Sequence, residues 1–147
     1  MNKFLSTYEL ELYIKEKYLE KLKIFLKEDV KLEGVFFDIG YDNSPEGTYV
    51  YTNENGYNYL FTEKGKIREH QTTNEIFQIT YWVIDQSIFS IALKYATHNR
   101  DYGMDFRRKL FEKEREVWFF LDNEGYNQKC YEIENVLKEN PYIDKIK

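Results

Sequence analysis

The chain has 147 residues, 42% of them apolar and 32% charged, with a formal net charge of -5. These values fit one globular domain with a core of its own, spanning residues 1–147, and they argue against disorder. They also argue against general nucleic-acid binding, which requires a concentrated excess of Lys and Arg facing phosphate.

The single cysteine, Cys130, rules out an internal disulfide. No signal-like apolar run follows Met1, so the cytoplasm is the expected location. Asp85 and Gln86 interrupt the longest apolar segment, and no membrane span is expected.

Ser6 followed by Glu9 has the pattern of a capping box, and Leu10, Ile14, Leu22 and Phe25 continue at roughly helical spacing. This predicts a first helix from about Thr7 to about Glu28, with its Lys and Glu residues facing solvent. From Leu32 the period becomes two: Val35, Phe37 and Ile39, then Tyr49 and Tyr51, then Tyr57, Tyr59 and Phe61, then a last run from Ile67 to Gln71. Turn residues separate these runs, with Pro45 inside Asn43–Gly47, Asn-Gly at the end of 53–56, and Gly65. An antiparallel meander of three or four strands is the simplest arrangement.

Thr73 or Asn74 suits the N-cap of a second helix running to about Thr97, with apolar residues at 77, 81, 84, 88, 91, 92 and 95. A third helix is expected from about Met104, with Phe106, Leu110, Val117 and Leu121 on one stripe and Gly125 as its stop. A fourth runs from about Asn127 to Glu139, ended by Pro141. The predicted fold class is α+β: the meander packed with an N-terminal helix and a C-terminal group of about three helices.

Two constellations stand out. Asp85, Asp105, Arg107 and Arg108 lie beside the most apolar part of the chain. A helical wheel puts Arg107 between Leu110 and Phe111 and Asp85 at the edge of the apolar stripe. A guanidinium there needs a carboxylate, and Asp85 or Glu114 could supply it, so these four residues are read as structural ion pairs locking two helices.

The second constellation lies between Lys31 and Lys64, where there is no Lys, Arg or His and every charge is acidic. Asp38, Asp42 and Glu54 there accompany Tyr49, Tyr51, Tyr57 and Tyr59. Tyrosine beside carboxylate suits the binding of a basic protein surface, and these residues are the candidate partner-binding face; a core-facing tyrosine layer with an acidic rim is the competing reading.

His70 and His98 have no companion at metal-ligand spacing. The carboxylates at 38, 42 and 46 lack the alternation of a calcium loop. Neither metal nor cofactor is therefore expected.

Tyr81-Trp82-Val83, Asp85, Ala92, Tyr95, Asp105-Phe106-Arg107-Arg108 and Phe111, followed by an acidic helix ending at Pro141, resemble the Imm63 family of immunity proteins from bacterial polymorphic toxin systems. The likeness is clearest from Thr73 to Pro141. The resemblance implies a small, non-enzymatic, cytoplasmic inhibitor that binds and neutralises a cognate secreted toxin, with recurring residues at Trp82, Asp105, Arg107 and Arg108. An acidic inhibitor suits a toxin domain with a basic cleft, such as a nuclease. The competing functions are an intracellular adaptor or structural module without a toxin partner, and a small hydrolase using Asp85, Asp105 and Arg107.

Overall fold

A computed structural model describes residues 3–145 of the chain, whose internal contacts gather into two units, Met1–Ile84 and Asp85–Lys147. In the first unit the capping box forms as expected. Ser6 Oγ accepts from the Glu9 amide, and the Glu9 carboxylate accepts from the Ser6 amide at 2.8 Å. The helix that follows is α1 (Thr7–Ile14), a π-helical turn (Lys15–Leu19) and α2 (Glu20–Leu26). The π turn adds a residue to the repeat between Ile14 and Leu22, so that Tyr18 and Leu19 are both buried on the face that carries Leu10, Ile14 and Leu22. Lys27 ends the helix in the left-handed conformation, with φ 59°.

Four strands follow in the order β1 (Val35–Phe36), β2 (Gly47–Asn53), β3 (Gly56–Glu63) and β4 (Lys66–Thr73). Strands β2, β3 and β4 form the expected antiparallel meander. The first strand departs from it: β1 has two residues and runs parallel to β2, with Val35 opposite Thr48 and Phe36 opposite Tyr49. Parallel neighbours cannot be joined by a tight hairpin. Residues 37–46 instead cross back over the sheet, and Gly40 is seated where a Cβ would lie 2.6 Å from Tyr49 Cγ and 2.9 Å from Leu60 Cδ2.

Directly opposed residues share a sheet face. Tyr49 and Tyr51, opposite Leu60 and Asn58, lie on the face crossed by this segment. Tyr57 and Tyr59, opposite Thr52 and Val50, lie on the other, where Tyr57 Oη accepts from the Leu5 amide at 2.9 Å and Thr7 Oγ1 accepts from the Thr52 amide at 3.0 Å. With both faces covered, β2 is buried from Gly47 to Tyr51.

Helix α3 (Ile76–His98) begins in the first unit and continues into the second, which also contains α4 (Phe106–Leu121) and α5 (Asn123–Glu139). Among the described residues α3 is the one helix whose length and apolar composition would allow it to cross a membrane.

Gly125 has a different role from the expected stop. Asp122, extended at φ -170°, closes α4 and caps α5, accepting from the Gly125 amide at 3.2 Å. Gly125 sits in the first turn of α5, against Trp118, where a Cβ would lie 2.2 Å from Cε3. Close helix approach, rather than a left-handed turn, is what requires glycine here.

Candidate functional site

The charges near the apolar helices form two separate arrangements, neither of which is the expected Asp85–Arg107 lock. The first surrounds Lys129. In α5, Gly125, Lys129 and Ile133 are buried at four-residue intervals, so the ammonium lies in the apolar stripe. It is 3.0 Å from Asp85 Oδ2, 3.5 Å from Glu114 Oε2 and 3.3 Å from Glu132 Oε1. Asp85 also accepts from Trp118 Nε1 at 2.9 Å.

Burial pushes the Glu114 carboxyl above its ordinary value, against the pull of Lys129. Burial also acts to lower the Lys129 pKa, but the surrounding carboxylates outweigh it and the ammonium is held above its usual range. Lys129 is the cation that these carboxylates share, so its loss leaves Asp85 and Glu114 as like charges in a largely buried site.

The second arrangement fastens the segment after α5 to the start of α4. Asp105 caps α4, accepting from the Arg107 amide at 2.9 Å, and binds the Arg107 side chain through Nη2 at 2.9 Å. Arg107 also donates to the carbonyls of Asn140 and Pro141, at the negative end of the α5 dipole. Arg108 grips Asp144 through Nε and Nη2, the latter at 2.7 Å, and lies 4.1 Å above the Tyr142 ring. Backbone bonds complete the fastening: the Ile143 amide donates to Asp105, the Asp105 amide to Asp144, and the Lys145 amide to the Gly103 carbonyl. The guanidinium of Arg107, aided by the Ile143 and Arg107 amides, holds the Asp105 carboxyl well below the usual carboxylate range. Arg108, aided by the Asp105 amide, lowers the Asp144 carboxyl from its ordinary value.

A cavity of about 250 Å3 in the second unit touches Asp105 and Arg108 but not Asp85 or Arg107. Its other walls are Ala96, Arg100, Asp101, Met104, Phe106, Lys109 and Glu112, a set without hydroxyl, thiol or imidazole. Of the residues named for a hydrolase, Asp105 lines this cavity and Asp85 and Arg107 do not.

The residues expected to form a partner-binding face are divided by burial. Tyr49, Tyr51 and Tyr57 are buried at 6%, 6% and 3% exposure, and Tyr59 is half-buried with its ring 5.9 Å from that of Trp82. Asp38, Asp42 and Glu54 are exposed. The tyrosines serve the interior. Tyr49 Oη donates to the Pro45 carbonyl at 2.7 Å, and burial pushes the Tyr51 phenol above its ordinary value. Beside Tyr51, the buried Asn58 accepts from His70 Nε2 at 2.8 Å and from Thr72 Oγ1 at 3.0 Å, and donates to the Gly56 carbonyl at 3.1 Å. Asn58 was not anticipated. A polar residue flanked by aromatics in an alternating strand was its only sign.

The family model for immunity protein 63, Imm63, matches residues 53–134, more than half of the chain. The chain belongs to the Imm63 family. The matched stretch holds Trp82, the Lys129 cluster and the Asp105–Arg107 pair, while Asp144 and the acidic segment 38–46 lie outside it. Membership of Imm63 makes this an immunity protein in the general sense, and implies a toxin as its partner. Comparison with curated proteins and with solved structures gives no match.

Proposed function

We propose that this Imm63 protein neutralises one cognate toxin domain by binding it stoichiometrically, without catalysis, in the cytoplasm of the cell that makes both. The observation that carries this reading is the family match over residues 53–134. The geometry supports it because the charged groups beside the apolar helices in that stretch are paired: Asp85 and Glu114 with Lys129, and Asp105 with Arg107. Groups held this way maintain the shape of a scaffold. The net charge of -5 favours encounter with a basic partner, and a bacterial toxin acting on nucleic acid is the class that fits.

Co-expression with the toxin domain encoded beside this chain tests the reading. Growth should be restored, and the two proteins should elute together at a one-to-one ratio in size exclusion. Continued killing with no complex would refute it.

A further inference from the structure

We infer that the surface meeting the toxin is the crossing segment 36–46, and that it accepts a basic protein face carrying a shallow apolar depression. This rests on the reading of the chain as a toxin-binding protein and specifies where the binding occurs. Phe36, Ile39 and Tyr41 are 42%, 45% and 63% exposed although they belong to a segment whose other apolar residue, Phe37, is half-buried. Asp38, Asp42 and Glu46 stand between and beside them, all exposed. Lys64 and Lys66 stand at the β3–β4 turn, which meets the segment through the Asn43 amide and the Gly65 carbonyl at 2.9 Å, and Lys15, Lys23 and Lys31 line a groove with the half-buried Phe37.

The segment is pinned along its length. Asp38 accepts from the Ile39 amide, Ser44 Oγ from the Tyr41 amide, and Asp42 from the Ile67 amide at 3.0 Å. The Pro45 carbonyl accepts from both Tyr49 Oη and Thr62 Oγ1, and Phe36 stacks on Tyr49 with ring centroids 5.1 Å apart. Gly40 lies flat against Tyr49 and Leu60. The buried tyrosines are thus a pedestal for this surface. A segment already ordered loses little conformational freedom on binding, and exposed aromatic and aliphatic side chains on it are the residue types and setting of interface anchors.

Charge distinguishes this patch from other exposed apolar side chains. On α4 and α5, Phe119 and Tyr131 are exposed as well, but Phe119 already has Tyr126 at 5.2 Å, and Lys113–Glu116 and Lys138–Glu134 give those helices a surface of mixed sign. Ile24 sits among the Lys and Glu residues of α2, and Tyr8 lies beside Glu9, which is held by the Ser6 amide, and one turn before Glu11, which is paired with Lys15. The crossing segment combines three protruding apolar groups with carboxylates alone on its own stretch of chain, and a basic partner is the complement of that combination.

The test uses the full chain and the inactivated toxin domain encoded beside it, with affinity and association rate measured at low and high salt. Tyr41→Ala and Ile39→Ala should each weaken binding at least ~10-fold. The pair Asp38→Asn with Glu46→Gln should slow association about 10-fold at low salt and flatten its salt dependence. Phe119→Ala and Glu134→Gln should stay within about 2-fold of the unaltered chain, as expected for residues outside the anchors. Circular dichroism and thermal midpoints establish that each variant is folded.

Absence of binding by the unaltered chain would overturn the immunity reading and this inference with it. Binding by the unaltered chain that survives all the segment variants would overturn the inference alone. So would a homodimer that Tyr41→Ala dissociates without loss of toxin binding, because a second copy would then be the occupant.

Discussion

Replacing Lys129 by Met keeps the length of the side chain and removes its charge, leaving Asp85 and Glu114 to face each other in a dry site. The ammonium lies 3.0 Å from Asp85 and 3.5 Å from Glu114, and its side chain is 8% exposed. Breaking a buried charge set by removing one partner costs about 3–5 kcal/mol. For a chain of this length that is a fall of roughly 10 °C in melting temperature.

The loss should depend on pH in a defined direction. Burial already holds Glu114 above its ordinary pKa, and Lys129 is the group opposing that rise. Without Lys129 the folded form keeps the Glu114 proton over a wider range above the unfolded carboxyl value. Stability therefore falls as pH rises through that range, and the deficit should be larger at pH 8 than at pH 5. Trp118 reports on the event directly, since its indole donates to Asp85, and a Trp82→Phe background isolates its fluorescence. Urea titrations at both pH values give the comparison. Adding Glu114→Gln to Lys129→Met should recover ~1–2 kcal/mol, because an uncompensated buried carboxylate is then removed. A cost below about 1 kcal/mol for Lys129→Met, or strict additivity of the two substitutions, would refute the assignment of this cluster as a coupled buried charge set.

Gly125→Ala offers a test in which two effects have opposite sign. Helix propensity alone predicts a gain of about 1 kcal/mol, whereas a Cβ 2.2 Å from Trp118 predicts a loss of about 2 kcal/mol in urea denaturation, and the steric effect should prevail. The fastening of residues 140–145 should be sensitive to acid: the folded pKa values of Asp105 and Asp144 are depressed, so their contribution is complete above the ordinary Asp value of about 3.9 and is lost as pH falls below it. Amide protection at Ile143 and Lys145 should therefore hold from neutral pH to about 4 and decline progressively below it as pH falls toward the depressed folded values, and Asp144→Asn should lower it at neutral pH.

The helices were legible because their signals are local. The Ser6–Glu9 capping box, the apolar period of α3 and the stripe of α4 each occupy one stretch of chain, and each gives an element within a few residues of its expected bounds. The start of α5 was missed by four residues because Gly125 resembles a stop unless the Trp118 ring that fills its missing side chain is known. The parallel pairing of β1 was missed for a related reason. Val35, Phe37 and Ile39 alternate like a strand, but pairing ends at Phe36 because Gly40 must pass beneath the reach of Tyr49 and Leu60.

The buried charge cluster left a readable sign. Lys129 interrupts the Gly125–Ile133 stripe of α5, Glu114 interrupts the Leu110–Val117–Trp118 stripe of α4, and Asp85 lies in the apolar run of α3. Three charges on three apolar faces, two acidic and one basic, are most cheaply reconciled by meeting one another. Pairing Asp85 with Arg107 instead treated the arginine as core-facing. Its guanidinium in fact turns to Asp105 and to the end of α5. Asp144 had no comparable sign, since the segment after Pro141 is irregular and carries no period.

The tyrosine strands show how a correct composition can support a misplaced surface. Tyrosines beside carboxylates suggested an exposed face, with a core-facing tyrosine layer and an acidic rim as the competing reading; burial agrees with the second, because the helix of residues 7–26 reaches one face of the sheet and residues 37–46 cross the other. The crossing segment that buries Tyr49 also brings Ile39 and Tyr41 to the outside, so covering the expected surface creates another from the same acidic stretch. The family match begins at residue 53, after this segment, and contains the inward-facing charges of the helices. Members that share those inward-facing groups can share a scaffold while differing in what they display before it. On that argument, exchanging residues 36–46 between two Imm63 proteins should transfer toxin preference more effectively than exchanging any segment of the helices.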